Sequence, residues 1–163
     1  MQMLAVERRK APERAQVAPK LRRPSAQKQN SHANDNPATV LVVDDDPSVL
    51  QALARLMRAD GFRVRTFDRP GALLASEMPT TNACMLVDVH LPEMNGFQLC
   101  KTLAQSGRAL PAIMMTGRDD AETRRMIERE HPVAALFKPI DENALLEAVA
   151  HGLALSKCVR TQI

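Results

Sequence analysis

Five polar residues lie at the carboxyl ends of short apolar runs, and their types suit one kind of chemistry: Asp44, Asp45, Asp88, Thr116 and Lys138. In open α/β sheets, ligands bind outside the carboxyl ends of the strands, near the point where the strand order reverses. If the apolar runs are neighbouring parallel strands, three carboxylates, one hydroxyl and one ammonium converge on one sheet edge. These five residues are therefore the candidate functional site.

Three clustered carboxylates are unfavourable by themselves, because like charges raise one another's pKa. A hard divalent cation removes the conflict, and Mg2+ binds one or two carboxylates together with phosphate oxygens and water. Lys138 can neutralise one phosphoryl oxygen, and Thr116 can donate a hydrogen bond to another. This inventory predicts in-line phosphoryl transfer, in which positioning and charge neutralisation supply most of the rate, with Asp88 as the nucleophile.

The hydrophobic pattern from residue 38 onward predicts the elements that position these side chains. Short apolar runs alternate with amphipathic segments of helical period, which predicts five βα units. The predicted strands are 39–43, 63–67, 84–89, 111–116 and 133–137. The predicted helices are 48–59, 70–78, 95–105, 119–130 and 141–155, with Asn95 as an N-cap.

Regular alternation of apolar strands with helices predicts an α/β fold, with helices on both faces of a parallel sheet. Right-handed crossovers leave few topologies for five strands. The leading candidate is the flavodoxin-like order 2-1-3-4-5, whose switch point lies between the first and third strands. That order brings Asp44, Asp45 and Asp88 to the same place.

Charge divides the chain into a basic tail and a domain. Residues 1–37 carry eight Lys/Arg and three Asp/Glu, a net charge of +5, whereas residues 38–163 carry fourteen and sixteen, a net charge of −2. The tail is poor in large apolar residues, which predicts disorder. We interpret it as a solvated extension rather than an attachment to nucleic acid or to an anionic membrane. The domain is predicted over 38–157, and a short C-terminal tail over 158–163.

The remaining composition narrows the class of protein. With four Phe, no Trp and no Tyr, the core is predicted to be aliphatic, and a platform for stacking nucleic-acid bases is not expected. The three cysteines are odd in number and far apart, which predicts reduced thiols in the cytoplasm. Apolar runs fall short of the length of a membrane span, so none is predicted.

Four motifs follow one another in a specific order: VLVVDDDPSVL at 40–50, MLVDVHLPEMNGFQL at 85–99, IMMTG at 113–117 and LFKPI at 136–140. Each motif is weak alone, but their order and spacing are highly specific together. Over roughly residues 39–156 the chain resembles the receiver domain of bacterial two-component response regulators, of the stand-alone, chemotaxis-regulator-like kind.

The resemblance assigns roles to individual positions. Asp88 matches the phosphoacceptor, Thr116 matches the switch hydroxyl, and Lys138 matches the lysine that contacts the phosphate. The role is that of a signalling switch rather than a turnover enzyme, although the domain is expected to assist its own phosphorylation and dephosphorylation.

The resemblance also implies a metal site for Mg2+, with Mn2+ as a possible substitute. Asp45 matches a direct ligand, Asp44 matches its acidic neighbour, which often acts through water, and Asp88 completes the carboxylates. His90 matches the position whose backbone carbonyl binds the metal. Asp46 falls beyond the acidic pair and is not expected to bind metal.

One position departs from the family pattern. Receiver domains commonly carry Tyr or Phe three residues before the lysine, and the ring moves inward with the switch hydroxyl. Here that position is Ala135, and Phe137 is expected on a different face of the strand. The route by which the signal leaves the domain is therefore not predicted by the resemblance.

The resemblance implies protein partners. These are a sensor histidine kinase or phosphotransfer protein upstream and an unidentified protein downstream, with a homodimer as a possible assembly. Direct binding of nucleic acid by the domain is not expected. If the sequence is complete, it is a stand-alone receiver; if it is a fragment, an output domain has been removed.

Three other functions fit these residues less well. Asp44-x-Asp46 imitates the nucleophile motif of haloacid-dehalogenase-like phosphohydrolases, but the late acidic pair expected after the lysine is missing. A receiver-like interaction module without phosphorylation would usually have lost the acceptor, an acid or the lysine, and this chain keeps all of them. A flavin-binding domain needs a Ser/Thr/Gly-rich phosphate loop, where this chain has DDDP.

Overall fold

The first strand lies at the centre of the fold. Thr39–Val43 forms β1, and all five of its residues are buried because helices cover both faces of the sheet. It pairs in parallel with β2 (Arg63–Phe67) on one side and with β3 (Ala83–Asp88) on the other. The computed structural model describes residues 37–158. The tail predicted over 1–37 therefore lies, apart from its last residue, outside the described part of the chain.

In the described part of the chain, the outer strands complete a parallel sheet of five strands. Strand β4 (Ala112–Thr116) pairs with β3, and β5 (Ala134–Phe137) pairs with β4 in a register that places Thr116 opposite Phe137. The strand order is β2-β1-β3-β4-β5, which confirms the predicted topology. The carboxyl ends of β1, β3, β4 and β5 therefore share one edge.

Within residues 37–158, five helices cover the two faces of the sheet. They are α1 (Pro47–Ala59), α2 (Pro70–Leu74), α3 (Gly96–Gln105), α4 (Ala121–Glu130) and α5 (Glu142–Cys158). Helices α1 and α5 pack on one face through side chains such as Met57 and Val149, and α2, α3 and α4 lie on the other, where Leu73 and Leu103 are fully buried. Both cores are mainly aliphatic, as the composition predicted.

Polar caps fix where the helices begin. The Asp46 carboxylate accepts a hydrogen bond from Ser48 N at the start of α1. Asn95 and Gln98 form a reciprocal capping box at the start of α3, which confirms the predicted cap. Asp120 caps α4 by accepting from Thr123 N at 2.8 Å. Helix α1 is followed by Gly61 at a φ of 91°, a left-handed conformation that favours glycine.

Helix α2 is shorter than the prediction of 70–78. It ends at Leu74, because Ser76 and Arg108 take over carbonyl groups that a longer helix would need. The Ser76 hydroxyl donates to Leu73 O at 2.8 Å, and Arg108 Nη1 donates to Leu74 O at 3.0 Å. Pro79 further disfavours helical backbone at the residue before it.

Between residues 37 and 158, none of the helices combines the length and the apolar character that a bilayer crossing requires.

Candidate functional site

Asp44 directly follows β1 and is buried, with 1% of its surface exposed. Its Oδ1 accepts a hydrogen bond from the backbone N–H of Asp46 at 2.9 Å. Its Oδ2 accepts from Lys138 Nζ at 2.7 Å. Both carboxylate oxygens therefore have a partner. One is the backbone N–H of the turn after β1, and the other is the ammonium of Lys138, which follows β5.

Asp88 is the last residue of β3 and is buried in the same way. Its Oδ2 accepts from the backbone N–H of His90 at 2.9 Å. Its Oδ1 lies 3.0 Å from Lys138 Nζ. A single ammonium thus bridges the carboxylates of Asp44 and Asp88, so two acidic strand ends face each other across one cation.

Lys138 reaches this place because it directly follows β5, at the edge of the sheet. Its backbone N–H donates to Thr116 O at 2.8 Å, which continues the β4–β5 pairing by one step. The Lys138–Pro139 peptide bond is cis. The side chain is 25% exposed, and its tip lies over the ends of β1 and β3.

The electrostatics of the pair follow from burial and contact. Burial raises the pKa of Asp44, and this effect outweighs the lowering by the hydrogen bond from Lys138. Burial lowers the pKa of Lys138, but its hydrogen bonds to Asp44 and Asp88 outweigh that effect and raise the pKa above its ordinary value. Lys138 therefore stays protonated. Its single positive charge does not balance the carboxylates of Asp44 and Asp88.

Thr116 ends β4 and is fully buried. Its hydroxyl donates to the Arg118 carbonyl at 3.1 Å and accepts from the Arg118 N–H at 3.1 Å. In this structure the hydroxyl therefore holds the turn between β4 and α4. The structure brings Thr116 to the predicted sheet edge, while its hydrogen bonds are made to that turn.

Of the other predicted metal residues, Asp45 is exposed and follows Asp44 directly. Asp46, which was not expected to bind metal, caps α1. His90 contributes its N–H to Asp88, but its imidazole points elsewhere: Nε2 lies 3.2 Å from Thr123 Oγ1 in α4. That side-chain contact is one that sequence reasoning missed, because no local pattern links residues 33 positions apart.

A metal ion is implied by these residues, and the donor chemistry fits Mg2+. Within residues 37–158, no group of three His, Cys, Asp or Glu side chains is already arranged round a common point. Mg2+ does not need one, since it binds one or two carboxylates and keeps several waters. When ionised, Asp44, Asp45 and Asp88 carry three negative charges, and Lys138 carries one positive charge. A divalent cation would balance the two negative charges that remain.

The position of Phe137 corrects one expectation. Ala135 and Phe137 are two residues apart in β5, so strand alternation puts both on the same face, not on different ones. The Phe137 ring is 42% exposed, and the Arg124 guanidinium of α4 stacks over it at 5.9 Å. The aromatic side chain of β5 therefore lies at the surface, against α4.

A known family accounts for this arrangement. The family model of the response regulator receiver domain matches residues 40–150. The chain belongs to this family. The receiver domain is 32% identical over 136 residues to the response regulator protein TmoT of Ectopseudomonas mendocina, an alignment that covers 83% of this chain and 62% of TmoT.

Solved structures agree with this membership. The response regulator StyR is 34% identical with a TM-score of 0.70, over 76% of this chain and 63% of StyR. A CheY-like receiver domain protein from Methanospirillum hungatei JF-1 is 24% identical with a TM-score of 0.64, over 76% of this chain and 98% of that one, and shows the shared fold. This receiver domain spans less than two thirds of TmoT and of StyR.

Family membership establishes the class of function. Receiver domains are signalling modules of two-component systems, and phosphorylation of an aspartate is a feature of the family. The phosphohydrolase alternative finds no support in the relatives. It also loses its second aspartate, because the carboxylate of Asp46 caps α1.

Proposed function

We propose that this receiver domain accepts a phosphoryl group on Asp88. The observation that carries the proposal is the ammonium of Lys138, which lies 3.0 Å from Asp88 and 2.7 Å from Asp44 at the open edge of the sheet. A positive charge fixed beside a buried carboxylate is suited to stabilising the added negative charge of a phosphoryl group.

In the proposed reaction, a carboxylate oxygen of Asp88 attacks the phosphorus atom of the donor. An O–P bond forms to Asp88, and the bond from phosphorus to the donor's nitrogen or oxygen breaks, with its electron pair leaving on the donor. Lys138 stays within reach of the phosphoryl oxygens. The Thr116 hydroxyl turns from the Arg118 carbonyl to donate a hydrogen bond to one of them.

Asp44, Asp45, Asp88 and the backbone carbonyl of His90 are the residues we propose for holding Mg2+. When bound, the ion supplies charge neutralisation of phosphoryl oxygens and helps to align donor and acceptor. The protein's own part is to hold Asp88 at the end of a fully buried strand, with its Oδ2 fixed by the N–H of His90.

We propose a sensor histidine kinase or a phosphotransfer protein as the natural donor, and a protein as the downstream partner. One phosphoryl group per chain is expected, without turnover of phosphate esters. Because the chain spans under two thirds of relatives such as TmoT, the activity of a longer protein that contained this domain is a separate proposal. The free thiols of Cys84 and Cys100 support a reducing, cytoplasmic setting.

Intact mass spectrometry after incubation with a small phosphodonor and MgCl2 tests the proposal. A single phosphate adduct is expected on the wild type and on Asp60→Asn, an exposed control. The isosteric variant Asp88→Asn should remain unmodified. A wild type that takes up neither phosphate nor beryllofluoride contradicts the proposal, and continuous hydrolysis of simple phosphate esters would favour the phosphohydrolase instead.

A further inference from the structure

Helix α4 rests on the sheet through a narrow buried face. Thr123 is fully buried, Met126 and Ile127 are half-buried beside it, and most of the other side chains of the helix are exposed. These three residues, at positions i, i+3 and i+4, bury much less of α4 than the buried side chains of α5 do, which include Leu145, Val149 and Leu153. The most deeply buried residue of α4 is therefore a polar one, close to the start of the helix.

The hydroxyl of Thr123 needs a hydrogen-bond partner at this depth, since a buried hydroxyl without one is strongly unfavourable. One partner is His90, whose Nε2 lies 3.2 Å away. The Asp120 carboxylate, which accepts from the backbone N–H of Thr123, also interacts with the Thr123 side chain. His90 thus connects the start of α4 to the loop after β3.

The backbone of the same histidine is bound to the proposed phosphoacceptor. His90 N donates to Asp88 Oδ2 at 2.9 Å, two residues away. One residue and two hydrogen bonds therefore separate the Asp88 carboxylate from the buried face of α4. This link runs through β3 and its loop, apart from the Thr116 turn.

We propose that His90 is a positioning residue that couples the first turn of α4 to the chemical state of Asp88, an inference that rests on the proposed function. A carboxylate oxygen is a strong, charge-assisted acceptor, and an acyl phosphate oxygen is a weaker one. Once Asp88 carries the phosphoryl group, His90 N–H keeps a weaker bond or turns to a phosphoryl oxygen. Either change moves the imidazole that holds Thr123, and the first turn of α4 loosens.

Two substitutions at Thr123 separate the hydroxyl from the shape of the side chain. Thr123→Val keeps the shape and removes the hydroxyl, and Thr123→Ser keeps the hydroxyl. Hydrogen exchange of the full chain, read at the bonded amides of Thr123 and Arg124, is expected to be roughly three- to tenfold faster in Thr123→Val, as loss of one hydrogen bond implies. Thr123→Ser and the exposed control Thr102→Val should match the wild type.

A double-variant cycle with His90→Ala tests the contact itself in the unmodified protein. Thr123→Val also removes the interaction of the hydroxyl with Asp120, so it is expected to have the larger single effect. If His90 acts on the helix through the Thr123 hydroxyl, adding His90→Ala to Thr123→Val accelerates exchange no further than Thr123→Val alone. Additive effects, or no effect of Thr123→Val, would overturn the contact on which the inference depends.

Beryllofluoride with MgCl2, a stable mimic of the phosphoryl group, tests the coupling. In the wild type and in Thr123→Ser it is expected to accelerate exchange in the first turn of α4 by a similar three- to tenfold. Thr123→Val should bind it equally well without further acceleration. If the adduct forms but the wild type shows no response, or Thr123→Val responds like the wild type, the coupling is wrong. A wild type that forms no adduct instead contradicts the proposed function.

Discussion

Gly96 lies directly against the backbone carbonyl of Asp88, leaving no room for a side chain. A Cβ atom built on Gly96 would overlap the Asp88 carbonyl oxygen and stand 2.9 Å from Val87 Cγ1. The N–H of Gly96 also donates to Val89 O at 3.0 Å. The first residue of α3 is therefore seated on the strand end that carries the proposed phosphoacceptor.

Gly96→Ala is accordingly expected to destabilise the domain by about 1–3 kcal/mol, because the new methyl group meets backbone rather than a side chain that can move away. Urea unfolding measures the loss. Gly71→Ala is the matched control, since a Cβ there meets nothing within 4 Å, and it should be neutral or slightly stabilising. Equal stability of the two variants would refute the close packing of Gly96 on Asp88.

Lys138→Met is expected to lower the free energy of unfolding by about 1–3 kcal/mol near neutral pH in EDTA, because two buried carboxylates lose their shared cation. The partial exposure of Lys138 keeps this below the loss typical of a fully buried pair.

The pH dependence of this loss has a defined sign. The folded pKa of Lys138 is raised above its ordinary value of 10.5, since its hydrogen bonds to the carboxylates outweigh burial. Its stabilisation is fully present below pH 10.5 and disappears as the pH rises through the folded value. Urea unfolding below and above pH 10.5 should show the free energies of unfolding of the wild type and of Lys138→Met becoming equal at alkaline pH. A constant difference would argue against the ion pair.

Asp45→Asn and Asp46→Asn form a matched pair for the metal site. Asparagine at position 46 can still cap α1, so this variant should keep the Mg2+ response of the wild type. Asparagine at position 45 removes a proposed ligand and should weaken Mg2+ binding on the order of tenfold or more. Thermal unfolding across a MgCl2 titration reads both, since ligand binding to the folded state raises Tm. If MgCl2 raises Tm equally in the two variants, Asp45 is not a ligand of the metal.

The thiols of the buried Cys84 and the partly buried Cys100 should react slowly in the folded protein. Burial raises the pKa of Cys84 to about 12 and that of Cys100 to about 12. Because the thiolate is the reactive form, alkylation at pH 8 is expected to be roughly a thousandfold slower than that of a free cysteine. Peptide mapping after native alkylation checks this, and the same reaction in urea shows full reactivity. Rapid native labelling of either peptide would contradict the burial.

The elements of this fold were predictable because their signals are local. Apolar runs located each strand to within a residue, and Asn95 was identified as a cap from its type and place. The end of α2 was wrong, because Arg108, more than thirty residues away, takes up the Leu74 carbonyl. Such a contact leaves no periodicity in the residues of α2 itself.

The sequence predicts that the polar strand ends converge at one edge, but it does not predict the contacts between them. Strand order alone brings Asp44, Asp88 and Lys138 to one edge, so residue type and topology were sufficient to nominate them. Which atoms bond to which depends on side-chain reach, as in the contact between His90 and Thr123. The face of Phe137 follows from strand alternation alone, because Phe137 lies two residues after Ala135 in β5.

The position of Lys138 directly after β5, the last described strand of the chain, also has a consequence for the order of synthesis. Lys138 lies 94 residues after Asp44, so a growing chain contains both buried acids long before it contains their cation. A nascent or clipped polypeptide that stops before residue 138 cannot assemble the charge balance on which the proposed phosphorylation depends. Unfinished molecules are therefore expected to be unable to signal, and only a chain that includes Lys138 can be phosphorylated.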